Sequence, residues 1–263
     1  MTSRNRIRFV VALLITALIT IVGVTPARAT TVTYNIDQAQ SSLLISGDLT
    51  GNPASQQTSN SLSTSYTGTI VADLQPGKIA FPGGSAIDAA LQPVNQQPRA
   101  DATPGSAPAD YGRTAPGPFS STALEALRNF VLDIEDDTFG AGITLSGNNF
   151  ASNSLIIDIA GGDSDVLYGS TPAEVSLSGK GTANGSGGGA SSVVQSGGIE
   201  TLTLKISSGS IGYSIAQSSD SSISFSGTIV ATRAVPEPAT VATLALLAAM
   251  PLSRRRQRCA AGC

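Results

Sequence analysis

The stretch LSTSYTGTIVADL, Leu62–Leu74, alternates between apolar and small polar residues. The apolar positions are Leu62, Tyr66, Ile70 and Leu74, and the hydroxyl positions between them are Ser63, Ser65 and Thr67. Successive side chains of a β-strand point to opposite faces of its sheet. Such a pattern buries one face and leaves the other in solvent. The stretch therefore predicts a half-buried antiparallel strand.

Similar short runs, separated by turn residues about every ten positions, fill residues 30–234 and predict an all-β domain. Further strands are expected at Val32–Ile36, Ser42–Leu49, Lys78–Phe81, Ala86–Leu91, Arg128–Glu135, Gly142–Leu145, Leu155–Ile159, Val166–Tyr168, Glu174–Ser178, Ile199–Ile206, Gly209–Ile215 and Ser222–Thr232. This region is long enough for one domain with its own core. We expect a single antiparallel β-sandwich or barrel-like domain, flanked by an N-terminal signal helix and a short C-terminal hydrophobic helix.

Three sets of turn residues predict hairpins. Gln75-Pro76-Gly77 directly follows the opening stretch, and Gly161-Gly162-Asp163 and Ser207-Ser208-Gly209 are similar. One stretch, Thr122–Leu127, is rich in helix-forming residues and predicts at most one helical turn before a strand.

Two segments predict long loops. Gln92–Phe119 contains six prolines, which regular elements do not tolerate, and Gly179–Gly198 is rich in Gly and Ser. The chain also contains one internal echo, because Ser65–Ala72 resembles Ser224–Ala231. The simpler interpretation is two similarly placed strands of one sheet, and the alternative is a duplicated half-domain.

The N-terminus has the three parts of a secretory signal peptide. They are the basic residues Arg4, Arg6 and Arg8, the apolar run Phe9–Val24, and the small residues Ala27 and Ala29 on either side of Arg28. Residues 1–29 are therefore predicted to be a signal peptide, with a mature start at Thr30. An uncleaved membrane anchor is the alternative.

The C-terminus begins with Val235-Pro236-Glu237-Pro238 and continues as an apolar run, Ala239–Leu252. The prolines favour an extended backbone that can enter a protease groove. As a helix the run would cover roughly 21 Å, less than the ~30 Å hydrocarbon core of a bilayer. A basic stop of Arg254, Arg255, Arg256 and Arg258 follows and favours the cytoplasmic side, before a short tail at 259–263.

This order of motifs, from Val235 to Arg258, resembles the PEP-CTERM sorting signal of Gram-negative bacteria and planctomycetes. The resemblance implies recognition by an exosortase, a membrane-embedded cysteine transpeptidase, and removal of the signal at or near Pro236-Glu237-Pro238. The region before it, with its closing run Ala231–Pro238, is similar to the secreted domains of planctomycete-type members. An ordinary C-terminal membrane anchor is the alternative.

Charge and composition exclude several functions. Residues 30–234 contain seven Lys and Arg against 17 Asp and Glu, a net charge of −10, which disfavours nucleic acid as a partner. The chain has no histidine, and both of its cysteines, Cys259 and Cys263, lie in the tail. Ser-His-Asp and Cys-His catalysis are therefore excluded, as are most zinc sites.

Carboxylates are the remaining candidates for chemistry. A pair drawn from Glu125, Glu135, Glu174 and Glu200 could support glycoside hydrolysis, although solvated surface residues are the simpler interpretation. Weak calcium sites are a hypothesis for two acidic segments that contain Asp136, Asp137, Asp158, Asp163 and Asp165. The alternative is that both are acidic turns solvated by water, and we expect no other cofactor.

Together these features predict an exported, non-enzymatic protein that is held briefly in the inner membrane, sorted by an exosortase and left at the cell surface or outside the cell. Its expected role is structural or adhesive in an exopolysaccharide-associated layer. The alternative is a lipocalin-like or carbohydrate-binding module, since Tyr34–Asp37 followed by Ser41-Ser42 resembles the first strand of periplasmic lipocalin-like lipid-binding barrels. A surface glycosidase is a third hypothesis.

Overall fold

The computed structural model describes residues 29–57, 59–90, 109–116, 122–138, 140–169, 171–185, 189–215 and 218–235. These residues confirm the all-β prediction, and one turn of 3₁₀ helix at Ser152–Ser154 accompanies the strands. The strands are β1 (Thr30–Ile36), β2 (Ser42–Ser46), β3 (Asp48–Leu49), β4 (Asn52–Pro53), β5 (Ser55–Gln56), β6 (Ser63–Gln75), β7 (Lys78–Ala80), β8 (Ala86–Ala89), β9 (Tyr111–Pro116), β10 (Thr122–Asp136), β11 (Ile143–Thr144), β12 (Asn149–Ala151), β13 (Leu155–Tyr168), β14 (Thr171–Ser176), β15 (Lys180–Ala183), β16 (Ala190–Ser196), β17 (Ile199–Ser207), β18 (Ile211–Ile215) and β19 (Ser218–Ala234). All but the short pair β3–β4 belong to one large sheet.

The predicted strand Leu62–Leu74 corresponds to β6, and its alternation is confirmed. Tyr66 and Ile70 are fully buried, while Leu62 and Leu74 are partly buried and pack against the core. The predicted turn at Gln75-Pro76-Gly77 is confirmed as well, because β6 and β7 pair antiparallel on either side of it.

The two echo segments lie in β6 and β19, on either side of one interrupted strand. That strand consists of β1 and β2, and each of its parts pairs antiparallel with β6 on one edge and with β19 on the other. At the interruption, the Ser41 hydroxyl accepts the N–H of Val230 at 2.9 Å and donates to its carbonyl oxygen at 3.0 Å. The prediction of two similarly placed strands in one sheet is confirmed.

The remaining strands extend the sheet in both directions. β17 pairs with β19, and β6 pairs with β8, which pairs with β10. β10 pairs along its length with β13, which carries β14 and β15 on its far edge. A bridge between Asn184 and Ser208 then joins the end of β15 to the end of β17. The pairings therefore form a closed circuit.

Aromatic rings occupy the interior that the long strands enclose. The ring centroids of Tyr111 and Phe130 are 6.2 Å apart, and those of Phe130 and Phe225 are 5.5 Å apart. Phe81 and Phe150 form a third contact at 5.9 Å. These five side chains are at most 3% exposed and belong to one continuous core cluster.

Both predicted loops contain strands, so these predictions were wrong in part. Tyr111–Pro116 forms β9, which pairs with Thr122–Leu127 of β10, and Pro116 is tolerated because it ends the strand. Gly179–Gly198 contains β15 and β16, whose small residues pair with β13 and β17. Residues 91–108, 117–121 and 186–188 lie outside the described residues.

Three local predictions were wrong. Thr122–Leu127 begins the long strand β10 because its pairing with β9 and β13 overrides the helix propensity of its residues. Gly161-Gly162-Asp163 is a bulge inside β13, where the register shifts opposite Val131. Ser207-Ser208-Gly209 interrupts two strands, β17 and β18, that both pair with β19, so it makes no hairpin.

The sheet begins and ends beside the two predicted processing signals. β1 starts at Thr30, and β19 ends at Ala234. Residues 1–28 and 236–263, which include both predicted terminal helices, lie outside the described residues. None of the helical structure in the described ranges is long and apolar enough to cross a membrane.

Candidate functional site

Four polar side chains meet inside the sheet and form what we call the interior cluster: Arg113, Glu125, Ser164 and Tyr213. Arg113 donates its Nε–H to the Glu125 carboxylate and an Nη2–H to the Tyr213 hydroxyl. Glu125 also accepts from the hydroxyls of Ser164 and Tyr213. The Arg113 and Glu125 side chains have no solvent-exposed surface.

Strand alternation places this cluster inside. Ala123, Glu125 and Leu127 share the buried face of β10, opposite β9, which carries Arg113. Burial alone would lower the pKa of Arg113, but the charge of Glu125 and its hydrogen bond raise it above the ordinary value. Burial and the same carboxylate raise the pKa of Tyr213, which therefore stays a protonated donor.

The interior cluster also bonds to the backbone of a further strand. Arg113 also donates an Nη1–H to the carbonyl oxygen of Ser222 at 2.8 Å. A buried charge is tolerated when it is paired and its other polar atoms are hydrogen-bonded. The cluster therefore ties β9, β10, β13, β18 and β19 together from within.

A second group, the strand-end cluster, consists of Tyr34, Glu200 and Arg233. Arg233 Nε donates to Glu200 Oε1 at 2.7 Å, and the Tyr34 hydroxyl donates to the same carboxylate oxygen. The Arg233 guanidinium lies 5.6 Å from the centroid of the Tyr34 ring, a cation–π distance. Burial and the Glu200 carboxylate raise the pKa of Tyr34, so its hydroxyl stays a donor.

Asp110 forms a third polar site beside the stretch of β10 between Arg128 and Val131, where the register with β13 shifts. Its carboxylate accepts the N–H of Phe130 at 2.8 Å, and its own N–H donates to Leu127. Burial raises the pKa of Asp110 to about 6, although the Phe130 bond and the charge of Arg128 act against this shift. Arg128 itself pairs with Asp165 across β10 and β13.

The five aspartates predicted as calcium ligands are engaged in different ways. Asp165 is paired with Arg128, and Asp136 accepts the N–H groups of Phe81 and Thr138 at 2.6 and 3.0 Å. Asp158 and Asp163 lie within strand β13 instead of a turn, and Asp137 is exposed. Within the described ranges, no three His, Cys, Asp or Glu residues form a group able to hold a metal ion. Calcium binding remains a hypothesis that calorimetry in millimolar calcium tests.

A small acidic patch nevertheless lies on the outer face. Asp133 is directly opposite Asp158 across β10 and β13. Burial and then the charge of Asp133 raise the pKa of Asp158. Burial, followed by the charges of Asp158, Asp133 and Asp136, raises the pKa of Glu135. The Asp133 carboxylate accepts the N–H groups of Gly84 and Ser85, so it fixes the turn before β8.

The four candidate glutamates of a glycosidase are engaged separately. Glu125 is enclosed in the interior cluster, and Glu200 belongs to the strand-end cluster. Glu135 lies on the outer face of β10, and Glu174 is opposite Asp165 on β14. The structure pairs Glu125 and Glu200 with arginines instead of with a second carboxylate.

Of the predicted processing residues, only Ala29, Thr30 and Val235 are among the described residues. The N–H of Val235 donates to the carbonyl oxygen of Gly198 at 2.8 Å. The other residues of the two predicted signals, Ala27, Pro236, Glu237, Pro238 and the four arginines 254, 255, 256 and 258, lie outside them.

The sequence interpretation missed Arg113, Tyr213, Tyr34 and Arg233 as members of polar clusters. One signal was available, because the alternation of Ala123, Glu125 and Leu127 would have placed a glutamate on a buried face if the stretch had been assigned to a strand. A buried glutamate that stays ionised is normally paired with a cation, so a partner could have been sought.

Comparison of the chain with protein-family models, with curated proteins and with solved structures finds no match in any of the three. The fold and the clusters define an all-β protein with hydrogen-bonded polar side chains enclosed in its interior.

Proposed function

We propose that this protein is an exported, non-catalytic β domain that an exosortase cuts from a C-terminal sorting signal. The hydrogen bond from Val235 to Gly198 carries this proposal, because the described sheet ends at the first residue of the signal. The predicted signal peptide ends at Ala29, directly before β1, which gives the same relationship at the other end. Removal of both signals would leave the strands from β1 to β19 intact, as a cargo domain released from its sorting signals requires.

We infer a structural or adhesive role in an exopolysaccharide-associated layer outside the cell. The core supports this role, because Tyr34, Tyr66 and Phe225 fill the interior with bulk that a lipocalin-like binding module would leave to its ligand. The closed circuit of strand pairings supports the barrel-like form of the architecture over the sandwich. The enclosed state of Glu125 and the pairing of Glu200 support a non-enzymatic role.

Intact-mass and terminal-peptide analysis of the protein from its native cells tests the proposal. The expected mature chain begins at Thr30 and ends at or near Pro236–Pro238, and it is recovered from the cell surface or the extracellular matrix. A control with Pro236, Glu237 and Pro238 all replaced by alanine should keep its tail. A native protein that still carries Arg254–Cys263 would contradict the proposal.

A further inference from the structure

The last three described residues, Arg233–Val235, are paired on one edge only. On that edge Arg233 is opposite Glu200, Ala234 is opposite Ile199, and Val235 bonds to Gly198. On the other edge, the described ladder between β1 and β19 stops at the pair Asn35 and Thr232. A strand end with one partner frays more easily than one with two, because fewer hydrogen bonds must open.

The strand-end cluster lies where the second ladder stops. Tyr34 is the β1 residue next to Asn35, and its hydroxyl reaches Glu200, the cross-strand neighbour of Arg233. Arg233 bonds to the same Glu200 oxygen and lies over the Tyr34 ring. The arginine and glutamate side chains are only 20% and 10% exposed, so solvent screens this pair incompletely. Side chains thus bind the strand end to β1 where backbone pairing is lost.

A peptide-cleaving enzyme binds its substrate as an extended chain, with backbone hydrogen bonds to the enzyme. Residues on the N-terminal side of a cut near Pro236 would be Arg233–Val235. The backbone groups that bond to β17 are not available to an enzyme until this end of the strand opens. Cleavage of such a segment follows the population of its opened form when opening and closing are fast.

We propose that Tyr34, Glu200 and Arg233 are positioning residues. Together they form a clasp that holds the end of β19 in the sheet and thereby limits how fast the sorting enzyme can cut the chain. This inference rests on the proposed function, because it assumes that the tail is removed at Pro236–Pro238. When the clasp opens, the end of β19 separates from β17, and the residues before the cut become available to the enzyme.

The test follows processing of the full chain in its exosortase-containing host by pulse–chase. Glu200→Gln removes the charge that holds Arg233, and we expect the cleavage rate to rise about fivefold, as for one partly screened hydrogen bond to a charged group. Tyr34→Phe removes a single hydroxyl and should give a smaller rise, about twofold. Arg128→Gln breaks the comparably buried Arg128–Asp165 pair elsewhere in the sheet, and it should leave the rate unchanged.

A spacer variant distinguishes the effect of the clasp on the cleavage rate from the effect of a general loss of stability. Insertion of Gly-Ser-Gly-Ser between Val235 and Pro236 supplies a flexible segment outside the sheet that an enzyme can bind, so cleavage should be fast and no longer respond to Glu200→Gln. Hydrogen exchange at residues 233–235 of the full chain should speed up in Glu200→Gln and Tyr34→Phe but not in Arg128→Gln.

The outcomes distinguish the two proposals. If the unaltered chain is cut but neither Glu200→Gln nor Tyr34→Phe nor the spacer accelerates cleavage, the clasp is wrong and the sorting function stands. Slower cleavage in the two clasp variants would likewise overturn the clasp. If the unaltered chain is never cut in its host, both the proposed sorting function and the proposed clasp are contradicted.

Discussion

Arg113 on β9 donates its Nε–H to the carboxylate of Glu125 on β10, and neither side chain is exposed to solvent. Arg113 lies between Pro108 and Pro116 in the sequence, and its strand β9 joins the sheet by pairing with β10. Because the two opposite charges compensate each other and share the hydroxyl of Tyr213 as a partner, the two residues form one energetic unit.

Removal of one member of this pair should destabilise the fold strongly. Glu125→Gln leaves the Arg113 guanidinium charged and enclosed, and we expect a loss of about 3–5 kcal/mol in the free energy of unfolding. Arg113→Met should cost a similar amount. The double variant Arg113→Met/Glu125→Gln should cost less than the sum, because it leaves no unpaired charge. Urea denaturation of the three variants measures this coupling, and strictly additive losses would contradict the enclosed pair.

Asp110 should make the fold less stable as the pH rises from about 4 to about 6. Its folded-state pKa is about 6, while its ordinary value is 3.8. In that interval the unfolded chain has released the proton and the folded chain retains it, so stability falls with pH. The expected total loss is about 3 kcal/mol, complete above the folded pKa.

The variant Asp110→Asn tests this dependence, because its amide oxygen can still accept the N–H of Phe130 but cannot ionise. It should be more stable than the unaltered protein at pH 7 and show a flatter curve between pH 4 and 6. A smaller slope of the same sign should remain, since the pKa values of Glu135 and Asp158 are also raised. A variant that retained the whole slope would show that another group is responsible.

The sequence correctly predicted elements whose structure depends on residues close to one another in the chain. The alternation in Leu62–Leu74 and the turn at Gln75-Pro76-Gly77 both indicated their structures correctly, because a half-buried strand and a two-residue turn carry their own residue preferences. Gly161-Gly162 was misassigned because glycine pairs favour turns and bulges alike. Only the pairing of β13 with β10 distinguishes the two.

The polar clusters could not be predicted for a different reason. Glu125 and Arg113 are 12 positions apart, and Tyr213 is 88 positions from Glu125, so their contact depends on the order of strands in the sheet. Arg113 also lies between prolines, a composition that indicates a loop when its partner strand is unknown. Tertiary pairing decided both positions.

Gly68 and Gly227, the matching glycines of the two echo segments, should tolerate substitution far less than Gly77 in the turn between β6 and β7. A Cβ at Gly68, where φ is +105°, would lie 2.0 Å from the carbonyl oxygen of Ala86, and one at Gly227 would lie 2.3 Å from that of Ser42. Alanine at either position should cost more than about 3 kcal/mol, because the backbone of a paired strand must move.

Gly77→Ala is the matched control for this prediction. Its φ is +71°, but nothing lies within 4 Å of the added Cβ, so only the conformational cost of about 1–2 kcal/mol applies. Urea denaturation of Gly68→Ala, Gly227→Ala and Gly77→Ala gives the comparison. Equal losses in all three would show that the close approach of the paired strand has no energetic weight.

Ser41, at the interruption between β1 and β2, should contribute more to stability than Ser46 at the end of β2. The Ser41 hydroxyl is the acceptor for the buried N–H of Val230 at 2.9 Å, and Ser41→Ala leaves that group without it. The Val230 carbonyl oxygen keeps its bond from the N–H of Asp37, so we expect a loss of about 1–3 kcal/mol for one buried donor. Ser46→Ala removes an exposed hydroxyl contact with Ser224 and should cost less than about 0.5 kcal/mol. Chemical denaturation of both variants measures the difference. If the two losses were equal, the Ser41 hydroxyl would not be replacing the ladder hydrogen bond where β1 and β2 separate.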